Sequence, residues 1–514
     1  MRKWLSRLVS SGDRTAPEAA RIAELQRRAS ECMRGGEHDE AEECLRQMLS
    51  LRPEHPDARR ELAHLLALQA YAHQERGEFD AAIEGYEESL ALDHGQARVH
   101  NNLGNILKSL GRLADAVAAY REAAGADNGL AEAHLNLGTA LYQLTGEAAE
   151  AIVHCRAALE ARPSFPEASL NLGFLLEQEG DAAGAMQCYR DAIAADPEFA
   201  EAQFNYALQL LLRGDYRNGW QEYEWRARRP DQEHWRPHAG RERWDGSALD
   251  GKVILLYAEQ GFGDVIQFVR YAALVAERGG KVIVSGQPKL KALLRTVPGI
   301  SAVFDSTEEL PAFDVCCPLL SLPRIFDTTL ETIPARVPYM HSDPERALHW
   351  KAKLAADGAS MKVGVYWATD TKSRFAPLKS FTLDKLAPLA DIAGVTYYSL
   401  QRGAAAGQAA HPPRGMALVD LSAELADFAD DAALLANLDL VISIDTATAH
   451  LAGALGRPVW ILTHFPPEWR WLLGRDDSPW YPSMRLFRQA RAQPWEEVIA
   501  RVAQALREMK AASK

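Results

Sequence analysis

The chain lacks any run of the 18 or more apolar residues that a membrane-spanning helix requires, so no transmembrane segment is predicted. Its first residues, MRKWLSRLVSSGDR, combine a basic start with scattered apolar residues and no small-residue cleavage site. No secretory signal is read there, and the expected location is the cytoplasm. None of the six cysteines (Cys32, Cys44, Cys155, Cys188, Cys316 and Cys317) forms a C-x-x-C pair, and four occupy helical-looking apolar positions. That argues against zinc and against a disulfide framework, and predicts buried, reduced thiols. Basic charge is also scarce: 57 Lys and Arg face 70 Asp and Glu, a net charge of -13. Before Pro230 there are 25 basic and 37 acidic residues, and after it 32 and 33, so nearly all the excess sits in the first half. A polyanion would be repelled there, which disfavours nucleic acid and favours a neutral or basic polypeptide as partner.

With 47% hydrophobic and 25% charged residues, the composition is that of a globular protein and excludes wholesale disorder, collagen and coiled-coil rods. A length of 514 residues, at roughly 100 to 200 per domain, predicts three or four domains.

The first half repeats. Gly77, Gly111, Gly146, Gly180 and Gly214 are spaced 34, 35, 34 and 34 residues apart, the tetratricopeptide period. In register follow Ala82, Ala116, Ala151, Ala185 and Gly219, small enough for two helices to cross closely, then the bulkier Tyr86, Tyr120, Cys155, Tyr189 and Tyr223. A more divergent unit precedes them at Gly36, Ala41, Leu45, Met48 and Pro53, separated by seven extra residues. About six helical hairpins are expected between residues 20 and 229, each burying its apolar face only against its neighbours in a right-handed solenoid with a concave surface.

Packing alone does not account for Asn102, Asn136, Asn171 and Asn205, which share one repeat position. Each could satisfy a local backbone group or face water. Alternatively the column hydrogen-bonds an extended peptide, since an amide offers both a donor and an acceptor. The column, and the N-L-G-N wording at Asn102 to Asn105, resemble the asparagine ladder of the O-linked N-acetylglucosamine transferases, a resemblance confined to the repeat half.

From Pro230 to Asp250 the chain has no clear period and reads as a connector docked by Trp235 and Trp244. Beyond Gly251, short apolar runs alternate with helical segments: VILLYAEQ, KVIVSGQ and SAVFD, then from about Lys362 KVGVYWA, VTYYSLQ, ALVDLS, DLVISID and PVWILT. Buried parallel strands linked by helices fit this best, in two lobes that leave a cleft at the carboxyl ends of their strands.

Two loops of that cleft carry the candidate chemistry. Gln260-Gly261-Phe262-Gly263-Asp264 follows the first strand and leads into a helix, with glycines that let the backbone approach a ligand. Position 266 is Ile where a dinucleotide fingerprint wants glycine, which argues against NAD. Asp264 is either a helix cap or a base for an attacking hydroxyl. The second loop, D-T-x-x-x-H, places Asp445 at a strand end, Thr446 at a helix start suited to a diphosphate, and His450 one turn in. A cap plus a core histidine is the alternative reading. Trp469, Trp471, Trp480 and Tyr481 offer flat faces for a sugar or base, or core packing.

With G-x-G-D at 261 to 264, VGVYWA at 363 to 368, YSLQ at 398 to 401 and D-T-x-x-x-H at 445 to 450, the stretch from Lys252 to about Arg491 resembles the heptosyltransferase-like glycosyltransferases of family 9. The tail FPPEWRWLLGRDDSPWYPSMRLFRQ resembles bacterial versions in which this domain follows tetratricopeptide repeats. The resemblance implies a GT-B fold of two Rossmann-like lobes, with Asp264 as the base and Gln260, Gly261 and Gly263 in the loop near the acceptor. It further implies that Lys379, Ser380, Asp445, Thr446 and His450 hold the donor diphosphate. The loop 369 to 380, TDTKSRFAPLKS, departs from the family's polar form through Phe375, Ala376, Pro377 and Leu378, which weakens any role for Lys372 and Arg374.

The expected fold is therefore an N-terminal tetratricopeptide α-solenoid (20–229), a connector (230–250), an acceptor-side α/β lobe (251–343), a nucleotide-sugar lobe (344–491) and a terminal helix (492–514). That helix is expected to brace the first lobe or to pair with another chain. The resemblance implies transfer from a nucleotide-diphosphate sugar, with no separate cofactor; that no D-x-D pair ends a strand in the cleft agrees with metal independence, one direct displacement would invert the anomeric centre, and a protein acceptor held by the repeats is expected. A non-catalytic adaptor and a transferase acting on a saccharide or lipid are the alternatives.

Overall fold

The computed structural model describes residues 2–229, 238, 240–305, 307–355, 358, 360–369 and 376–512. The chain divides into two compact units, residues 1–179 with 194–197, and residues 180–193 with 198–514. Among the described residues no helix is long and apolar enough to cross a membrane.

The first unit is a succession of helices running from Arg2–Gly35 to Pro166–Gln178, packed on one another in chain order. Between them Gly36, Gly77, Gly111 and Gly146 stand at φ 77°, 74°, 76° and 74°, the left-handed conformation that ends a helix and costs glycine nothing. The small positions Ala82, Ala116 and Ala151 and the bulky ones Tyr86, Tyr120 and Cys155 are all fully buried. The close crossing is visible at Gly104, where a Cβ would lie 2.6 Å from the Tyr120 ring. The Tyr120 hydroxyl then donates to Asn105 Oδ1 at 2.8 Å. The seven extra residues of the divergent unit lengthen one helix: Pro56–Glu75 has 20 residues where Ala97–Ser109 has 13.

In the second unit, most of helix Ala182–Ala195 and the helices Ala200–Leu212 and Tyr216–Glu222 precede two parallel sheets. The first contains β1 (Val253–Tyr257), β2 (Lys281–Gly286), β3 (Ile300–Asp305) and β4 (Val315–Pro318) in the order β3-β2-β1-β4. The second contains β5 (Met361–Tyr366), β6 (Val395–Ser399), β7 (Leu418–Asp420), β8 (Leu440–Ile444), β9 (Val459–Thr463) and β10 (Met484–Arg488) in the order β10-β9-β8-β5-β6-β7. β8 and β9 are buried at every position, as continuous apolar runs in a covered parallel sheet must be. β4 and β10 are additions to the strands expected from sequence.

The helices around Ala200–Glu222 are built into the core of this unit. The Trp220 ring meets Phe268, Trp469 and Trp480 edge-on. Trp480 Nε1 donates to the Tyr216 hydroxyl at 2.9 Å. The Arg226 guanidinium, 1% exposed, pairs with Glu259 at 2.9 Å and donates to Ser321 Oγ at 2.8 Å. Trp469, Trp471, Trp480 and Tyr481 are all buried, so their faces belong to this core rather than to a sugar or base. Trp244 is buried as expected and donates to the Ser247 carbonyl, while Trp235 lies outside the described residues.

The final helix, Trp495–Ala512, does not brace the first lobe. Val498, Ile499, Val502, Ala503 and Leu506 share a core with Val363, Val365, Leu386 and Phe487 of the second, because the helix follows β10 directly and covers that sheet's open face. Among the described residues no disulfide links the cysteines; five are buried, and Cys188 is partly exposed rather than buried as expected.

Candidate active site

β1 ends at Tyr257, and three residues later the chain turns into the short helix Phe262–Phe268 with Gly261 at its N-cap. Asp264 stands in the first turn but caps nothing; its carboxylate is paired with the Arg470 guanidinium. Gly263 also serves the packing: a Cβ there would come within 3.1 Å of His450 Cδ2, so its missing side chain admits the histidine of the opposite lobe.

β8 ends at Ile444, so Asp445 and Thr446 emerge together at the carboxyl edge of the second sheet. Thr446 is the N-cap of helix Ala447–Ala454; its Oγ1 accepts from Ala449 N at 3.3 Å. His450, 4% exposed, lies stacked on Trp471 with ring centroids 5.4 Å apart. Its Nδ1 is 2.9 Å from the Tyr481 hydroxyl, and its Nε2 is 3.6 Å from Asp445. Burial pushes the imidazole's pKa down against the pull of Asp445, which keeps the ring neutral near pH 7.

These groups line a cleft of about 490 Å³ between the carboxyl ends of the two sheets. It gathers Gly261, Gly263, Asp264, Lys379, Asp445, Thr446 and His450. Ser380 is not among its lining residues; its Oγ accepts from Thr369 N at 3.0 Å. Gln260 faces a neighbouring cavity. Lys372 and Arg374 lie outside the described residues.

Sequence reasoning missed Glu468, Arg470, Lys289 and Arg402, which also line the cleft. Arg470 is the hub. Its Nε donates to Gln267 Oε1 at 2.7 Å, one terminal nitrogen donates to Glu468 at 2.7 Å, and the other binds Asp264. Its plane lies 4.4 Å from the Trp469 centroid, a cation–π contact. Both lobes thus meet on one buried guanidinium.

The second cation, Lys379, is 3.1 Å from Asp445. Burial opposes its charge, but Asp445 and Glu468 raise its pKa overall. Burial likewise opposes the charge on Asp445, yet the Lys379 ammonium and the His450 ring hold its carboxyl well below the usual range. Glu468 goes the other way: burial, with Asp445 beside it, pushes it up to about 7 despite Arg470. Of these two neighbouring carboxyls, Glu468 is therefore the one that takes up a proton first as the pH falls. The cleft therefore presents four cations, Lys289, Lys379, Arg402 and Arg470, the carboxylates of Asp264 and Asp445, and a Glu468 carboxyl that titrates near neutrality, around a helix start. Neither three-residue group that could approach a cation, His94–His100–Glu122 or Cys32–Glu37–Glu40, lies in it.

The four repeat asparagines are all half-buried. Asn136 Nδ2 donates to Asn101 Oδ1 at 2.9 Å and Asn105 Oδ1 at 3.2 Å, and Asn171 Nδ2 donates to the Glu167 carbonyl at 2.9 Å. Asn205 belongs to the second unit. Local satisfaction thus uses part of the Asn136 and Asn171 amides.

Comparison with known proteins bears on both halves. Models described as tetratricopeptide repeat match residues 22–65 and 166–199, and one described as TPR repeat matches 70–111 and 104–144. Protein FlbA of Caulobacter vibrioides is 30% identical over 323 residues, 57% of this chain and 52% of that protein, so the chain spans about half of its relative's length. Among solved structures, the glycosyl transferase family 9 from Veillonella parvula DSM 2008 is 11% identical, covering 48% of this chain and 88% of that one, with a TM-score of 0.38. YrrB, described as a TPR protein with an unusual peptide-binding site, is 19% identical, covering 37% of this chain and 94% of that one, with a TM-score of 0.31.

Proposed function

For a chain that joins tetratricopeptide repeats to two parallel α/β lobes, we propose a glycosyltransferase that moves a sugar from a nucleotide-diphosphate sugar to an acceptor hydroxyl on a protein held by the repeats. One observation carries the reading: Asp264 from one lobe faces Lys379, Arg470 and the helix start at Thr446 across a single cleft. Asp264 accepts the acceptor's proton as its oxygen bonds the anomeric carbon, and the bond from that carbon to the diphosphate oxygen breaks. The electron pair leaves on the diphosphate, where Lys379, Arg470 and the free N–H groups beside Thr446 stabilise it. This side-chain and helix-end charge is the basis for a metal-independent step. A single displacement inverts the anomeric centre. The repeat asparagines and the acidic first half would receive a neutral or basic polypeptide.

A second reading is a non-catalytic adaptor, favoured by the engagement of Asp264 with Arg470, which a base must leave before it takes a proton. The deciding experiment titrates the full chain with nucleotide diphosphates and their sugars, then assays turnover in the wild type and in Asp264→Asn. The transferase reading expects binding that Lys379→Ala weakens and a turnover loss of about 10²- to 10⁴-fold in Asp264→Asn. Binding without turnover in the wild type selects the adaptor, and unchanged turnover in Asp264→Asn removes the base.

A further inference from the structure

Gln401 closes the YSLQ segment, two residues past the end of β6, and is 0% exposed. β6 runs beside β5 with Ser399 opposite Val365, and Leu400 N donates to the Val365 carbonyl at 3.0 Å. From there the Gln401 side chain continues the pairing. Its Oε1 accepts from Trp367 N at 3.1 Å and from Ala368 N at 2.8 Å. Its Nε2 donates to the Ala368 and Arg402 carbonyls, each at 2.8 Å. A primary amide has two lone pairs and two N–H groups, and this one uses all of them where water has no access. Asparagine brings the same groups one methylene short.

The segment that this amide grips is joined to the residues around Lys379. Phe381 N donates to the Trp367 carbonyl at 3.0 Å, and Thr369 N, the next after Ala368, donates to Ser380 Oγ at 3.0 Å. Both residues that follow Lys379 are thus bonded to the segment 367–369. Lys379 stands directly before them, at the end of the short helix Ala376–Lys379, with its ammonium 3.1 Å from Asp445. Tyr366 and Thr369, which flank the gripped residues, line the cleft themselves.

We infer that Gln401 is a positioning residue: through the segment 367–369 it sets where Lys379 stands, and so how firmly a diphosphate is held. What Lys379 binds rests on the transferase reading; where it stands does not.

Two measurements on the full chain separate these points. The first titrates wild type, Gln401→Met, Lys379→Ala and the double variant calorimetrically with ADP, CDP, GDP and UDP. The second times acetylation of Lys379 by acetic anhydride in the ligand-free chain, read by peptide mass spectrometry. The Lys379 side chain is 19% exposed and paired, so it reacts slowly until it is released. Val502→Ala, which thins the core of the same lobe without touching these bonds, is the control for general loosening. Gln401→Asn carries both measurements if circular dichroism shows Gln401→Met unfolded.

Gln401→Met weakens the nucleotide that wild type binds by about tenfold, and Gln401→Asn acts in the same direction by less. In the Lys379→Ala background the same change costs less than about twofold, because the group it acts through is gone. Acetylation of Lys379 runs at least about fivefold faster in Gln401→Met, and at the wild-type rate in Val502→Ala. Unchanged affinity in the folded Gln401 variant, an equal loss with and without Lys379, or acetylation no faster than in Val502→Ala overturns the inference. If wild type binds none of the nucleotides, the transferase reading falls, and acetylation alone decides whether Gln401 places Lys379.

Discussion

Replacing Arg470 with methionine keeps most of the side-chain volume and removes the charge on which both lobes converge. The guanidinium side chain is 6% exposed, and its loss strands Asp264, 18% exposed, and an acceptor oxygen of Glu468, 31% exposed. Breaking a buried pair from one side costs about 3 to 5 kcal/mol, and the partial exposure of both carboxyls places this case near the lower figure, about 3 kcal/mol. Urea unfolding of the full chain followed by tryptophan fluorescence measures it. Eleven of the 12 tryptophans lie beyond residue 219, so the signal reports on the unit that contains the lobes. With a slope of about 3 kcal/mol per molar, the midpoint falls by about 1 M. Adding Asp264→Asn and Glu468→Gln to Arg470→Met removes the stranded charges and restores most of the loss, a coupling that a mutant cycle isolates. A midpoint within about 0.2 M of wild type for Arg470→Met, or no recovery in the triple variant, refutes the clasp.

Other outcomes follow from the same contacts. Because Glu468 is pushed up to about 7, a nucleotide sugar, whose diphosphate does not itself titrate near neutrality, binds more tightly as pH falls through that value. The proton that neutralises Glu468 removes a negative charge facing the ligand; calorimetry at about pH 6 and pH 8 shows the difference, which Glu468→Gln abolishes. Gly104→Ala forces a methyl into the Tyr120 ring and costs about 1 to 3 kcal/mol, read as loss of helical circular dichroism at lower temperature; an unchanged melt denies the close crossing. Replacing Asn102, Asn136, Asn171 and Asn205 together with alanine weakens binding of the protein acceptor with little effect on nucleotide affinity, and unaltered acceptor binding makes the column structural.

The repeat was legible because each turn requires a glycine and each crossing a small residue, constraints that recur every 34 residues and are local. The buried parallel strands were legible as apolar runs for the same reason. β4 was not, because VCCP is four residues long and ends in proline, and β10 was not, because the arginines of MRLFR break its apolar run. In the site, Asp264, Asp445, Thr446 and His450 announced themselves by sitting where strands end. Arg470 and Glu468 did not, since 206 residues separate Arg470 from the Asp264 it binds. The available signal was an arginine held between two tryptophans in PPEWRW, a charge that an otherwise apolar segment keeps only if something pairs with it. The use of Gly263 was hidden likewise: nothing near it in sequence says that a histidine from the opposite lobe occupies the space.

Gly214, Gly219 and Tyr223 keep the repeat's period, yet the same hairpin places Tyr216, Trp220 and Arg226 among the buried side chains of the α/β unit, so the seam visible in the sequence near residue 230 is not a seam of folding. A truncation made there would leave Trp480 without its phenol partner and Glu259 without its counter-charge, and would yield an aggregating fragment rather than a free-standing domain. The hairpin must therefore travel with the lobes as a single inherited piece.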